Sequence, residues 1–161
     1  MSAKNLIEIS KEFFEKAYKF QMDGNFEEAI EYYKRSLDYY PTAEAYTFLG
    51  WALSALGDYE KAIDECKNAI QMDPDFGNPY NDIGAYLINL ERFEEAIAWL
   101  DLAISAKRYS NREFAHFNLG VVYEKMGLWF EALDEYKKAF SLAPDYKLAK
   151  HHLNRLQGLL N

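Results

Sequence analysis

The chain has 161 residues, 50% hydrophobic and 27% charged, with a net charge of −8 and a pI near 4.9, a composition that folds and a length that suits one domain with its own core. So acidic a surface repels phosphate backbones and anionic membranes, which argues against nucleic acid or a lipid surface as the main ligand. The wholly apolar runs are only a few residues long, so no segment is expected to span a bilayer, and no secretory apolar core follows Met1-Ser2-Ala3-Lys4-Asn5, so the expected compartment is the cytoplasm.

Read from the N-terminus, one string returns four times: Asn25-Phe26-Glu27-Glu28-Ala29-Ile30, Asp58-Tyr59-Glu60-Lys61-Ala62-Ile63, Arg92-Phe93-Glu94-Glu95-Ala96-Ile97 and Leu128-Trp129-Phe130-Glu131-Ala132-Leu133. Gly50, Gly84 and Gly120 recur in step, and Pro41, Pro74 and Pro144 close three of the units. This periodicity divides the chain into repeats at about 10–42, 43–76, 77–110 and 113–146, with a last helix at about 145–159. Strand-like alternation with Asn-Gly or Asp-Gly turns is absent, so the chain is expected to be all-α.

Within each unit the residue types fit two antiparallel helices. Gly57 and Gly127 stand where a helix must stop and reverse, which glycine does without a side-chain clash. Asn25 and Asp58 are placed to cap the second helices of their units. Ala17, Gly50, Gly84 and Gly120 on first helices, and Ala29, Ala62, Ala96 and Ala132 on second helices, let neighbours approach closely. Phe26, Tyr59, Phe93 and Trp129 are expected to fill the space between units. The third unit has Glu91 at the turn glycine and Arg108 at the closing proline, and Asn111 and Arg112 are two extra residues. The sequence thus predicts a longer or looser joint before unit four, where Ser110 and Glu113 are placed to form a capping box. The last helix carries Leu148, Leu153, Leu156, Leu159 and Leu160 among cations, as a solubilising cap does.

These residues resemble the tetratricopeptide repeat family, whose pattern runs large residue, Leu-Gly, aromatic, Ala, aromatic, Ala, Pro. The second unit carries Tyr46, Leu49-Gly50, Leu53, Gly57, Tyr59, Ala62, Ala69 and Pro74. The fourth carries Leu119-Gly120, Tyr123, Gly127, Trp129, Ala132, Tyr136, Ala139 and Pro144. The resemblance implies a right-handed superhelical solenoid of about nine helices that binds a protein or peptide, with the first helices lining the concave face. It implies no particular partner.

No Gly-rich phosphate loop, His-Glu-x-x-His or Cys-x-x-Cys pair occurs, so an enzyme, a cofactor and a bound metal are not expected. Cys66 lies among apolar neighbours and reads as a buried structural thiol. His116 reads as packed between helices, and the consecutive His151 and His152 point apart and lack a third ligand. Function is therefore sought in the groove. The stripe beside the packed one reads Lys11, Phe14, Tyr18 and Gln21, then Glu44, Thr47, Trp51 and Ser54, then Asn78, Asn81, Ala85 and Ile88, then Phe114, Phe117, Val121 and Glu124, flanked by Phe48 and Asn118. Aromatics there supply apolar area, and asparagines offer donors and acceptors to an extended backbone. The partner-binding set expected is Phe14, Tyr18, Phe48, Trp51, Asn78, Asn81, Phe114, Phe117 and Asn118.

A subgroup of the family grips acidic chaperone tails with a clamp of lysines, arginine and asparagines. Here Lys11 is the stripe's single cation, which disfavours that ligand. The alternative to a groove binder is a self-associating protein, suggested by Leu128, Trp129 and Phe130 and by Tyr32, Tyr39, Tyr40 and Trp99.

Overall fold

The computed structural model describes residues 1–161. Nine helices succeed one another: α1 Ala3–Met22, α2 Phe26–Tyr39, α3 Ala43–Ala55, α4 Tyr59–Met72, α5 Asn78–Asn89, α6 Phe93–Ser105, α7 Arg112–Lys125, α8 Trp129–Leu142 and α9 Lys147–Leu160. Each helix packs on the next, and the first helices of successive units also touch, α1 with α3, α3 with α5 and α5 with α7. That pattern makes a solenoid with α1, α3, α5 and α7 as its inner layer.

Close approach within each pair depends on the small residues. A Cβ on Gly84 would lie 2.5 Å from Leu100 Cδ2, one on Gly120 2.5 Å from Tyr136 Cε1, and one on Gly50 3.0 Å from the Ala62 carbonyl. Ala17, Ala29, Ala62, Ala96 and Ala132 have no exposed surface. Phe26, Tyr59 and Phe93 are half-buried. Trp129 departs from expectation: it is 45% exposed and borders an open recess with His152 and Arg155 of α9. At the C-terminal end Leu153 and Leu156 of α9 are buried against α8, while Leu148 and Leu159 face outward.

The turn between the two helices of a unit is the same in all four. The amides of Asn25, Asp58, Arg92 and Leu128 donate to the carbonyls of Phe20, Leu53, Leu87 and Tyr123, five residues back, at 2.8, 3.1, 2.9 and 2.8 Å. This closure needs a left-handed residue just before the donor. Gly24, Gly57 and Gly127 take it at φ of 80°, 82° and 76°, and Glu91 takes it at 57°. Asn25 and Asp58 make no side-chain cap bond, contrary to expectation, since this backbone closure already turns the chain. A left-handed non-glycine costs about 1 kcal/mol. Glu91→Gly is therefore expected to raise stability by about 1 kcal/mol, or Tm by roughly 3 °C. A lowered melting point would refute this account of the turn.

Of the two forms expected for the joint between units three and four, longer or looser, the structure shows the longer one, and it is braced. The Arg112 guanidinium donates to the carbonyls of Ile104 at 2.9 Å, Ala106 at 2.6 Å and Tyr109, bracing the end of α6 against the start of α7. The Arg108 backbone pairs with the preceding joint, through Arg108 N to the Asp75 carbonyl at 2.8 Å and Gly77 N to the Arg108 carbonyl at 3.0 Å. Its side chain lies 4.2 Å over the Phe76 ring and reaches Asp73 at 2.5 Å and Glu44 at 3.3 Å. The expected capping box does not form. Asn111 is the residue before α7, and it bonds Ser110 and Glu113 side chain to side chain.

Candidate functional site

The inner layer presents two chemistries in succession. Toward the N-terminal end α1 and α3 build an aromatic ridge. Phe48 meets Phe14 edge-on at 5.3 Å, Tyr18 at 5.8 Å and Trp51 at 5.8 Å between ring centres. Phe14 and Phe48 are half-buried and lean on Tyr33, whereas Tyr18 and Trp51 are each 43% exposed. The inner rings thus hold the outer two in place, and the outer two carry the open apolar surface. A recess of about 380 Å³ lies along this ridge, with Lys11 and Glu44 at its edges.

The middle of the groove is polar. A recess of about 270 Å³ is walled by Phe48, Trp51 and Phe114 and floored by Asn78, Asn81 and Asp82 of α5, with Tyr109 and Asn111 of the joint on its far side. Asn81 is buried, and its Oδ1 accepts from Asn118 Nδ2 at 3.0 Å, which ties the two asparagines together across α5 and α7. Asn78 stays half-open. Asp82 keeps part of its surface open to the recess but is ringed by protein. Burial pushes its carboxyl up to about 7, offset in part by the Asn81 amide. The Tyr109 hydroxyl is buried with no hydrogen-bond partner.

The far end is closed. Phe117 is buried among Tyr136, Tyr146 and His152, at 5.6, 5.3 and 5.1 Å, so it belongs to the seam with α9 and leaves the groove. Phe114 remains 39% exposed, edge-on to Tyr146. Glu124 accepts from Arg155 at 2.5 and 2.7 Å and from the Tyr136 hydroxyl at 2.8 Å. Burial opposes its charge, but these bonds outweigh burial and hold its carboxyl below the usual range. Glu124 is therefore already matched by a cation, as is Glu44 by Arg108. His116 sits 2.6 Å from Glu135 between α7 and α8, Cys66 is fully buried with its thiol pushed well up, and no group of three His, Cys, Asp or Glu side chains gathers in metal-binding geometry.

Asp82, Tyr109 and Asn111 were not among the residues expected from sequence. Asp82 carried a readable signal: no lysine or arginine stands three or four residues to either side of it on its helix, where Asn78, Pro79, Ala85 and Tyr86 lie. Tyr109 carried none, because the course of the joint is set by contacts distant in sequence.

Profiles described as tetratricopeptide repeat match residues 15–75, 53–112 and 113–146, which together run through all four units. Among curated proteins the chain is similar to "Protein SGT1 homolog" of Oryza sativa subsp. japonica, 36% identical over 85 residues, covering 52% of this chain and 23% of that protein. It is similar also to "Small glutamine-rich tetratricopeptide repeat-containing protein 2" of Mycosarcoma maydis, 31% identical over 96 residues, covering 55% and 27%. The chain thus spans about a quarter of the length of these relatives. Among solved structures, Pseudomonas aeruginosa pilF superposes with a TM-score of 0.87 over 94% of this chain and 69% of that one, at 22% identity, a likeness of fold. No helix is long and apolar enough to cross a membrane.

Proposed function

This chain belongs to the tetratricopeptide repeat family, whose members hold other proteins, and we propose that it binds an extended segment of a partner protein along its concave face. The observation that carries this reading is the aromatic ridge. Tyr18 and Trp51 expose rings on a face that solvent alone would keep polar, and Phe14 and Phe48 fix those rings in position. The half-open Asn78 beside them offers an amide to a passing backbone.

Charge decides the class of segment. A carboxylate-rich tail needs several free cations to replace its water. Lys11 is exposed, but Arg108 and Arg155 already serve Glu44 and Glu124 on a protein of net charge −8. Neutral or apolar segments therefore suit the groove better than acidic tails. Aromatic anchors at an interface commonly carry about 2 kcal/mol, so Trp51→Ala is expected to weaken a groove peptide by roughly thirtyfold without unfolding the protein. Peptide titration against wild type and Trp51→Ala measures this. Tight, salt-sensitive binding of acidic tails that survives Trp51→Ala would overturn the reading.

A second reading, self-association, has its own observation. Phe130 is 72% exposed beside Trp129 and Leu128, at 45% and 38%, on the outer end of α8. Light scattering over a range of concentrations separates the two, since a monomer throughout removes the second.

A further inference from the structure

We propose that the middle recess is a specificity pocket for one basic side chain, lysine or arginine, carried by the partner's extended segment. This rests on the groove reading above and narrows it. Two polar residues of this recess are incompletely answered within the chain. Asp82 makes no ion pair, and the group that does answer it, the Asn81 amide, carries no charge. The Tyr109 hydroxyl, on a residue only 4% exposed, has no partner at all. Folded chains leave few such groups unmatched, and a recess that gathers two of them is suited to a ligand that matches both.

The walls fit the same ligand. Trp51 and Phe114, 43% and 39% exposed, stand at the rim, where a cation is attracted to ring faces and an aliphatic stem finds apolar surface. A basic side chain would pass between these rings and set its charged head against Asp82. An acidic side chain would meet that carboxylate, and a neutral one would leave it unanswered. The protein's net charge of −8 draws basic segments toward it.

The electrostatic setting gives the interaction a pH signature. The titratable groups facing Asp82 are Cys66 from α4, Tyr86 from α5 and Tyr109 from the joint, all pushed upward first by burial, so none of them titrates near neutrality. The nearby Arg112 is occupied by three carbonyls. Asp82 itself titrates at about 7. A cation bound to its ionised form therefore binds more tightly as pH rises through that value.

The test uses the full chain and a set of labelled peptides of about ten residues. Their aliphatic and aromatic flanks are constant, and one central guest is lysine, arginine, norleucine or glutamate. The lysine and arginine peptides are expected to bind roughly tenfold tighter than norleucine at pH 8. That margin should shrink by pH 6 and vanish in Asp82→Asn, whose amide keeps the shape and drops the charge. Glutamate should bind weakest. Equal binding of all guests that Trp51→Ala weakens alike would overturn the basic pocket while leaving the groove reading intact. A preference for basic guests that persists in Asp82→Asn would overturn the assignment to Asp82. No measurable binding of any guest would overturn both readings.

Discussion

Gly84→Leu should destabilise the protein by about 3 kcal/mol or more, lowering Tm by roughly 10 °C. Gly84 lies on α5 where that helix crosses α6, and even a methyl group there would lie 2.5 Å from both Cγ and Cδ2 of Leu100. Leu100 has no exposed surface, and its neighbours in the core are themselves buried, so it has nowhere to retreat. Leucine adds three more carbons to that clash. Its better helix propensity returns only some 0.8 kcal/mol, well short of the loss. The paired control is Asn81→Ala, three residues earlier on the same helix. It removes the acceptor for the Asn118 amide and the amide that answers Asp82, and should cost about 1 kcal/mol. Thermal melts of both variants make the comparison. If Gly84→Leu melts within a degree or two of wild type, α5 and α6 do not cross at this point.

The same helix shows what sequence reasoning can reach and where it stops. The helix pairs are legible because a period fixes them: Gly84 and Ala96 recur with Gly50 and Ala62 only if each unit repeats one close crossing. The groove is legible to within one step of helical rotation. Phe14, Thr47, Asn81 and Phe117 occupy one repeat position, and all four are buried or half-buried because that position turns toward the neighbouring helices of the stack. The open positions are the adjoining ones, held by Tyr18 and Trp51 and by Lys11, Glu44 and Phe114, with Asn78 half-open among them. Phe117 departs furthest from expectation because α9 lies over it, and no spacing within the repeat reveals which face of the last unit its capping helix covers. The joint before α7 looks loose in sequence because it lacks the closing proline. Its stiffness comes from Arg112 gathering three carbonyls and from Arg108 reaching back to Asp73 and Glu44, partners a local reading does not connect.

Asp82→Asn should make the protein more stable, and by an amount that grows with pH. A buried carboxyl without a cation resists ionisation, which is why its folded-state value stands at about 7, against about 3.9 in an unfolded chain. Below pH 4 the proton is on in both states and nothing is lost. Between 4 and 7 the folded chain keeps a proton that the unfolded chain has given up, so stability falls as pH rises. Above 7 both are ionised and the full penalty applies, at most about 4 kcal/mol and less where water enters the recess. Asparagine carries no such penalty. Its advantage over wild type should therefore grow by about 2 kcal/mol between pH 5 and pH 8, read as the difference between urea unfolding curves of the two proteins. Carboxylates with depressed values, such as Asp134 beside Lys138 and Asp73 beside Arg108, act in the opposite direction in both proteins and cancel in that difference. A pH-independent difference, or an asparagine variant less stable at pH 8, would mean that Asp82 already has a partner in the folded chain. The basic pocket would then lose its basis, because a carboxylate satisfied from within has no need of a lysine from outside.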